Sequence, residues 1–148
     1  MELDSIDVKL LKMLNSNAKI SLSEMGREVG LSASGVRKRI KQLERSGLIK
    51  SYTAIIDPQK FGLELMALLS VDVDARGEHE LIRSLSRHHE VCELHRMTGG
   101  HGLMMKVRAR DLESLNKFIE NHLHSFDSVK SVRTMVAMET FKETLINL

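Results

Sequence analysis

Ser32 to Arg45, SASGVRKRIKQLER, writes two faces into one helix. Val36, Ile40 and Leu43 recur at i, i+4 and i+7, which aligns them as an apolar stripe aimed at a core. At about 100° per residue, Ser34, Lys38, Lys41 and Arg45 fall on the opposite side and Arg37 and Arg39 on the flanks. The solvent face is therefore cationic, with Glu44 the one acid among five bases from Arg37 to Arg45. Ser32 is placed as N-cap, and Gly47 follows the last turn as a C′ residue does. A helix that begins freely and carries Ser34 and Arg37 near its start has the geometry that enters a DNA major groove.

Such a helix needs a partner, and Leu22, Met25 and Val29 supply one upstream, with Ser21 as its cap. Gly30, Leu31 and Ser32 form a short glycine-containing turn between the two, which makes a helix-turn-helix. An earlier helix from Asp4 to Asn15, capped by Asp4, adds Ile6, Leu10, Leu11, Met13 and Leu14 to close a three-helix core. After Gly47, LIKSYTAIID (Leu48 to Asp57) turns to strand-like composition, which predicts a wing or a crossover strand.

The chain has 148 residues, and a composition shift at Pro58, the single proline, and Gly62 divides it. Residues 1–60 hold 11 Lys and Arg against 7 Asp and Glu, a net of +4, while residues 61–148 hold 11 against 13, a net of −2. The anion-binding surface therefore belongs to the first half, although the whole chain carries only +2. The boundaries read as residues 1–50 for the helix-turn-helix domain, 51–62 for a connecting strand and hinge, and 63–148 for a second domain. One cysteine, Cys92, forms no disulfide within the chain, and no basic leader or long apolar run is present. These features predict a cytoplasmic protein without a membrane anchor.

The second half repeats itself. Val91, Leu94 and Met97 match Val129, Val132 and Met135 at an offset of 38 residues, and LSVDVD (Leu69 to Asp74) matches MKVRAR (Met105 to Arg110) at 36. Helical stretches from Glu78 to Ser86 and from Asp111 to His124 lie between the paired strands. Strand, helix, strand, taken twice, predicts a ferredoxin-like βαββαβ sandwich with helices on one face of an antiparallel sheet. The fold class is thus α+β, an N-terminal winged helix-turn-helix domain followed by a ferredoxin-like domain. With Leu68, Val71, Val73 or their neighbours alternating to both sides, the open face calls for a second sheet, which predicts a homodimer.

Ser34, Arg37 and Lys38 are candidates for base edges, because they sit near the helix start. Lys41 and Arg45 are placed for phosphates; Ser32 and Arg39 complete the candidate DNA-binding set. Seven histidines invite a metal, yet His88-His89 and His122-x-His124 point neighbours in different directions, and no thiol or carboxylate completes a set around His95 and His101. Neither a metal nor a cofactor is expected, and no paired-carboxylate or nucleophile motif suggests an enzyme. In Thr98-Gly99-Gly100-His101-Gly102, three glycines exceed what a hairpin turn needs, and bare amides of such a loop can cradle a carboxylate.

These blocks resemble the Lrp/AsnC, or feast/famine, family of bacterial and archaeal regulators across essentially the whole chain. The matching pieces are LDSIDVKLLKML, the block SLSEMGREVGLSASGVRKRIKQLERSGLIKSYTAIIDP, and the sheet-domain segments MTGGHGLMMKVRARD and VRTMVAMET. The resemblance implies a dimer through the ferredoxin-like domain, often assembling to tetramers or octamers, and control by a small effector, usually an amino acid. It places the effector between dimers near this hairpin loop, where Gly99 matches the family's loop glycine and Thr134 a hydroxyl on the last strand facing the neighbouring dimer; Thr98, Gly99, Gly100, His101, Gly102 and Thr134 are the candidate effector contacts. Where relatives show Gly-Asp-aromatic-Asp, this chain has Gly99-Gly100-His101-Gly102. Both acids are missing, so an α-ammonium group loses its counter-charge.

The expectation is a sequence-specific transcriptional regulator that binds double-stranded DNA, tuned by an effector that need not be a standard amino acid. Two alternatives stay open. One is an enzyme akin to the tetrapyrrole-modifying decarboxylases that resemble this family, using His95, Arg96 and His101. The other is an architectural DNA-binding protein of low specificity.

Overall fold

The computed structural model describes residues 2–99 and 102–148. Contacts divide the chain into two units, Met1–Ile55 together with Thr144–Leu148, and Ile56–Glu143. The expected boundaries put the last five residues with the sheet domain, whereas their contacts group them with the helical unit.

The first unit is built from α1 (Ser5–Ser16), α2 (Leu22–Val29) and α3 (Ala33–Arg45). Each begins on a side chain that satisfies the first orphan amides: Asp4 for α1, Ser21 for α2 and Ser32 for α3. Gly30 ends α2 in the left-handed region at φ 71°, which lets the chain turn at once into α3. Leu10, Met25, Val36 and Ile40 are buried together, with Ile6, Leu14, Val29 and Ile49 packed around them. Leu43 is buried as well. After Gly47, at φ 76°, the amides of Leu48 and Ile49 both bond to the Leu43 carbonyl.

The expected wing or crossover strand is corrected here. Residues 50–57 join no strand ladder among the described residues, and Ile55 and Ile56 stand 95% and 63% exposed. The composition suits a strand, but a strand needs a partner edge, and among the described residues these pair with none.

The second unit contains β1 (Leu65–Val73), α4 (Glu78–Leu85), β2 (Val91–Arg96), β3 (Leu103–Ala109), α5 (Leu112–Ile119) and β4 (Val129–Val136). The strands form one antiparallel sheet in the order β2-β3-β1-β4, the ferredoxin-like arrangement read from the repeat. Asp111 caps α5 through the Ser114 amide at 2.7 Å, and a π-helical turn, Glu120–His124, follows it directly. Ala67, Leu69, Val71, Leu103, Met105 and Val107 are fully buried beneath Leu81, Leu85, Leu115, Phe118 and Leu123 of the helices.

Val71 and Val73 therefore face the helices, and Leu68 looks the other way, paired in register with Met135. That other face also carries Lys106 and Arg108, both held by Glu143, with Lys106 further paired to Glu93. Burial opposes charge on Lys106, but the hydrogen bonds it donates to Glu143 and Glu93 outweigh it and raise its pKa. No described helix is long and apolar enough to cross a membrane.

Candidate nucleic-acid interface

The outer face of α3 is a cationic ridge. Lys38, Gln42 and Arg45 border grooves on both of its sides. One groove is completed by Ala33, Ser34, Arg37 and Lys41 and is lined by no carboxylate. The other runs toward the start of α1 and includes Glu2, Asp4 and Asp7. Phosphate is thus favoured on the Arg37 and Lys41 side, while the α1 side sets acids beside its bases.

Ser34, Arg37, Lys38, Lys41 and Arg45 are all exposed, as the sequence predicts. Ser32 is exposed too, but its hydroxyl accepts from the Gly35 amide at 3.2 Å and shares a hydrogen bond with Ser34 Oγ at 2.9 Å. Its first duty is the cap of α3. Arg39 departs from the expectation most clearly. Its Nη1 donates to Asp4 Oδ2 at 2.7 Å and Asp7 Oδ1 at 2.8 Å, so among the described residues it is the cation of α3 that is ion-paired. These bonds raise the Arg39 pKa. The Asp4 carboxyl is lowered, first by the Asp7 amide and then by Arg39.

Gln42 escaped the sequence reading. Its only signal is an amide-bearing side chain four residues beyond Lys38 on a face otherwise made of charge, and such an amide can read adenine bidentately.

In the second unit, the loop after β2 closes with the Met97 amide on the Gly102 carbonyl at 3.0 Å. Gly99 sits at φ 92°, which favours glycine. A Cβ on Gly102 would stand 3.2 Å from Val73 Cγ1 and 3.4 Å from the Val71 carbonyl oxygen. Turn geometry and close approach to β1 thus account for Gly99 and Gly102, and Thr98 is exposed. Gly100 and His101 lie outside the described residues. Thr134 pairs with Leu69, so it points to the helix side of the sheet while remaining exposed on the edge strand. Gly102, just before β3, lies across β1 from β4 and against Val71 and Val73, whereas Thr134 pairs with Leu69, so the two are about 10 Å apart across the strands and further along them. One chain alone does not bring Thr134 to Gly102.

Two histidines that the sequence kept apart come together. His88 and His122 stack with ring centroids 3.9 Å apart, flanked by Phe118. Glu90 Oε2 is buried between two histidines, 3.4 Å from His89 Nδ1 and 3.9 Å from His88 Nδ1. Burial, then the neighbouring His88, lowers the His122 pKa, with Glu90 opposing. Among the described residues no group of three or more His, Cys, Asp or Glu is arranged to hold a metal ion. His95 and Arg96, the residues of the enzyme alternative, point to opposite faces of β2: His95 Nε2 meets Glu93 at 3.5 Å, and Arg96 Nε meets Glu78 of α4 at 2.7 Å.

Residues 3–44 match the profile of the AsnC-type helix-turn-helix domain, and residues 66–146, more than half of the chain, match that of the Lrp/AsnC ligand binding domain. The chain belongs to the Lrp/AsnC family. Its relatives include the HTH-type transcriptional regulator FL11 of Pyrococcus horikoshii, 36% identical over 96% of this chain and 93% of that one. The HTH-type transcriptional regulator Ptr1 of Methanocaldococcus jannaschii is 34% identical over 95% of each. Among solved structures, AsnC of E. coli superposes with a TM-score of 0.93 at 20% identity over 99% of both chains. A transcriptional regulator from Neisseria meningitidis, solved as an L-Met complex, superposes with a TM-score of 0.93 at 25% identity, covering 97% of this chain and 95% of that one. As a member of the Lrp/AsnC family of transcriptional regulators, this chain combines the helix-turn-helix unit and the ferredoxin-like unit in one polypeptide.

Proposed function

We propose that this regulator reads a duplex by laying α3 in the major groove, with Ser34, Arg37 and Lys38 at base edges and Lys41 and Arg45 on phosphates. The observation that carries the reading is the carboxylate-free groove along α3, lined by Arg37, Lys38, Lys41 and Arg45. Residues 1–50 do this work, residues 51–62 connect, and residues 63–148 dimerise and take the effector. Leu68 and Met135 on the open sheet face, exposed by 38% and 46%, support pairing of two copies there. Two-fold symmetry then sets a pseudo-palindromic operator with half-sites about one helical turn, or a multiple of it, apart. Such a protein acts in the cytoplasm.

The effector site in this reading joins the Thr98 to Gly102 loop of one copy to Thr134 of another, since a single chain separates Thr134 from Gly102. Dimers would then associate further, to tetramers or octamers. The L-Met complex of the Neisseria relative supports a small amino-acid-like ligand. The absence of acids in Gly99-Gly100-His101-Gly102 favours a carboxylate whose ammonium group is absent or differently held.

Genome-wide footprinting of the full chain, with and without a panel of amino acids and 2-oxo acids, tests both parts. Protection of symmetric sites, altered by one ligand class, is the expected result. Equal protection of every fragment at similar concentration would replace this reading with low-specificity coating.

A further inference from the structure

Asp4 and Asp7 share their four carboxylate oxygens between two tasks. Asp4 Oδ1 accepts from the amides of Ile6 and Asp7 at 2.9 and 2.8 Å, and Asp7 Oδ2 accepts from the Asp4 amide at 3.3 Å. This is the reciprocal cap that starts α1. The remaining oxygens, Asp4 Oδ2 and Asp7 Oδ1, both receive Nη1 of Arg39. The residue pairs are 35 and 32 positions apart in sequence, so the contact ties the first turn of α1 to the middle of α3.

Arg39 lies one residue from Lys38 and two from Lys41, yet its side chain is only 29% exposed and turned toward α1. An arginine in a helix flank can swing to a phosphate only by giving up both carboxylates. Doing so would leave the α1 cap with two unpaired charges beside the approaching duplex, a repulsive arrangement.

Resting on the DNA-reading assignment above, we propose that Arg39 is a positioning residue: held by the Asp4 and Asp7 cap, it fixes how α3 is presented to the groove and does not itself touch DNA. The capped start of α1 is then a determinant of DNA specificity, although no part of it reaches a base. The two roles open to Arg39 give opposite signs when Asp7 is neutralised. If Arg39 contacts phosphate, Asp7→Asn removes a negative charge near DNA and releases the guanidinium, so binding tightens. If Arg39 positions α3, the same change loosens the helix and specific binding weakens.

The test uses the full chain with its footprinted duplex and a scrambled duplex. Asp7→Asn and Arg39→Met are each expected to weaken specific binding by about tenfold, comparable to one base contact, with scrambled-duplex affinity after Asp7→Asn held or raised. The double variant should be no weaker than Arg39→Met. The log-log salt slope should be unchanged in Arg39→Met, while Lys41→Ala lowers its magnitude by about 0.9 per copy.

A partly unfolded variant loses both duplexes alike, so the specific-to-scrambled ratio separates positioning from folding. Tighter specific binding by Asp7→Asn, a slope loss in Arg39→Met equal to that in Lys41→Ala, or an unchanged ratio would overturn the proposal. A wild-type protein with no salt-dependent duplex binding would instead remove the DNA reading, and this assignment with it.

Discussion

Replacing Gly26 by alanine sets a local preference against a tertiary one. Gly26 is buried in α2, where alanine is intrinsically favoured over glycine by about 1 kcal/mol. A Cβ there would stand 2.4 Å from the Leu31 carbonyl oxygen. An ordinary carbon-to-oxygen contact is about 3.3 Å, so the turn would have to retreat by about 0.9 Å. The obstacle is backbone, and Leu31 cannot retreat freely: its amide donates to the Gly26 carbonyl at 2.9 Å, and Ser32 next to it caps α3. Overpacking costs about 1–3 kcal/mol and a weakened hydrogen bond about 1 kcal/mol more. After the helix preference is subtracted, Gly26→Ala should destabilise the helical unit by about 1–3 kcal/mol, equivalent to about 4–8 °C in Tm per kcal/mol for a unit this small. Hydrogen exchange of the α1 to α3 amides, alongside thermal melting of the full chain, measures this. A variant as stable as wild type, or more stable, would refute the turn-contact argument.

Tyr52, the single tyrosine, has its pKa raised to about 12, first by burial and then by its hydrogen bond to Glu44 at 2.9 Å. Phenolate absorbance should therefore rise near pH 12 instead of near 10, and Glu44→Gln should bring it only part of the way back; a wild-type midpoint near 10 would contradict this contact. His122, lowered from 6.5 by burial and by His88, binds its proton less readily folded than unfolded. Stability should accordingly be full above about pH 6.5 and fall as pH drops below it. His122→Phe should lose less stability than wild type between about pH 7.5 and about pH 5.5 by denaturant melts, and an equal loss would mean that the stacked pair does not report pH.

What could be read from sequence was local. Asp4, Ser21 and Ser32 announce the helix starts because a cap acts within three residues, and Val36, Ile40 and Leu43 mark their buried stripe by spacing alone. The βαβ repeat was visible because the two halves carry the same apolar offsets. What escaped involves partners distant in sequence. Arg39 is indistinguishable from Arg37 by composition, and only the carboxylates of α1 separate their roles. β1 starts at Leu65, four residues before the alternating LSVDVD pattern, because Met66 and Leu68 put apolar groups on the open sheet face where alternation would show polar ones. The helix expected from Asp111 to His124 gives way at Glu120 to a π-helical turn that keeps the apolar rhythm at Leu123 while carrying His122 to His88. The run Leu48 to Asp57 has the composition of a strand, but residues 50–57 pair with no strand among the described residues.

The salt dependence of duplex binding tests the cationic α3 face most directly. If Lys41 and Arg45 of two copies neutralise phosphates, log affinity should fall with log salt at a slope of about −4, reaching about −7 if Arg37 and Lys38 do so too. A slope near zero for the footprinted operator would show that the face formed by Arg37, Lys38, Lys41 and Arg45 does not meet the nucleic-acid backbone.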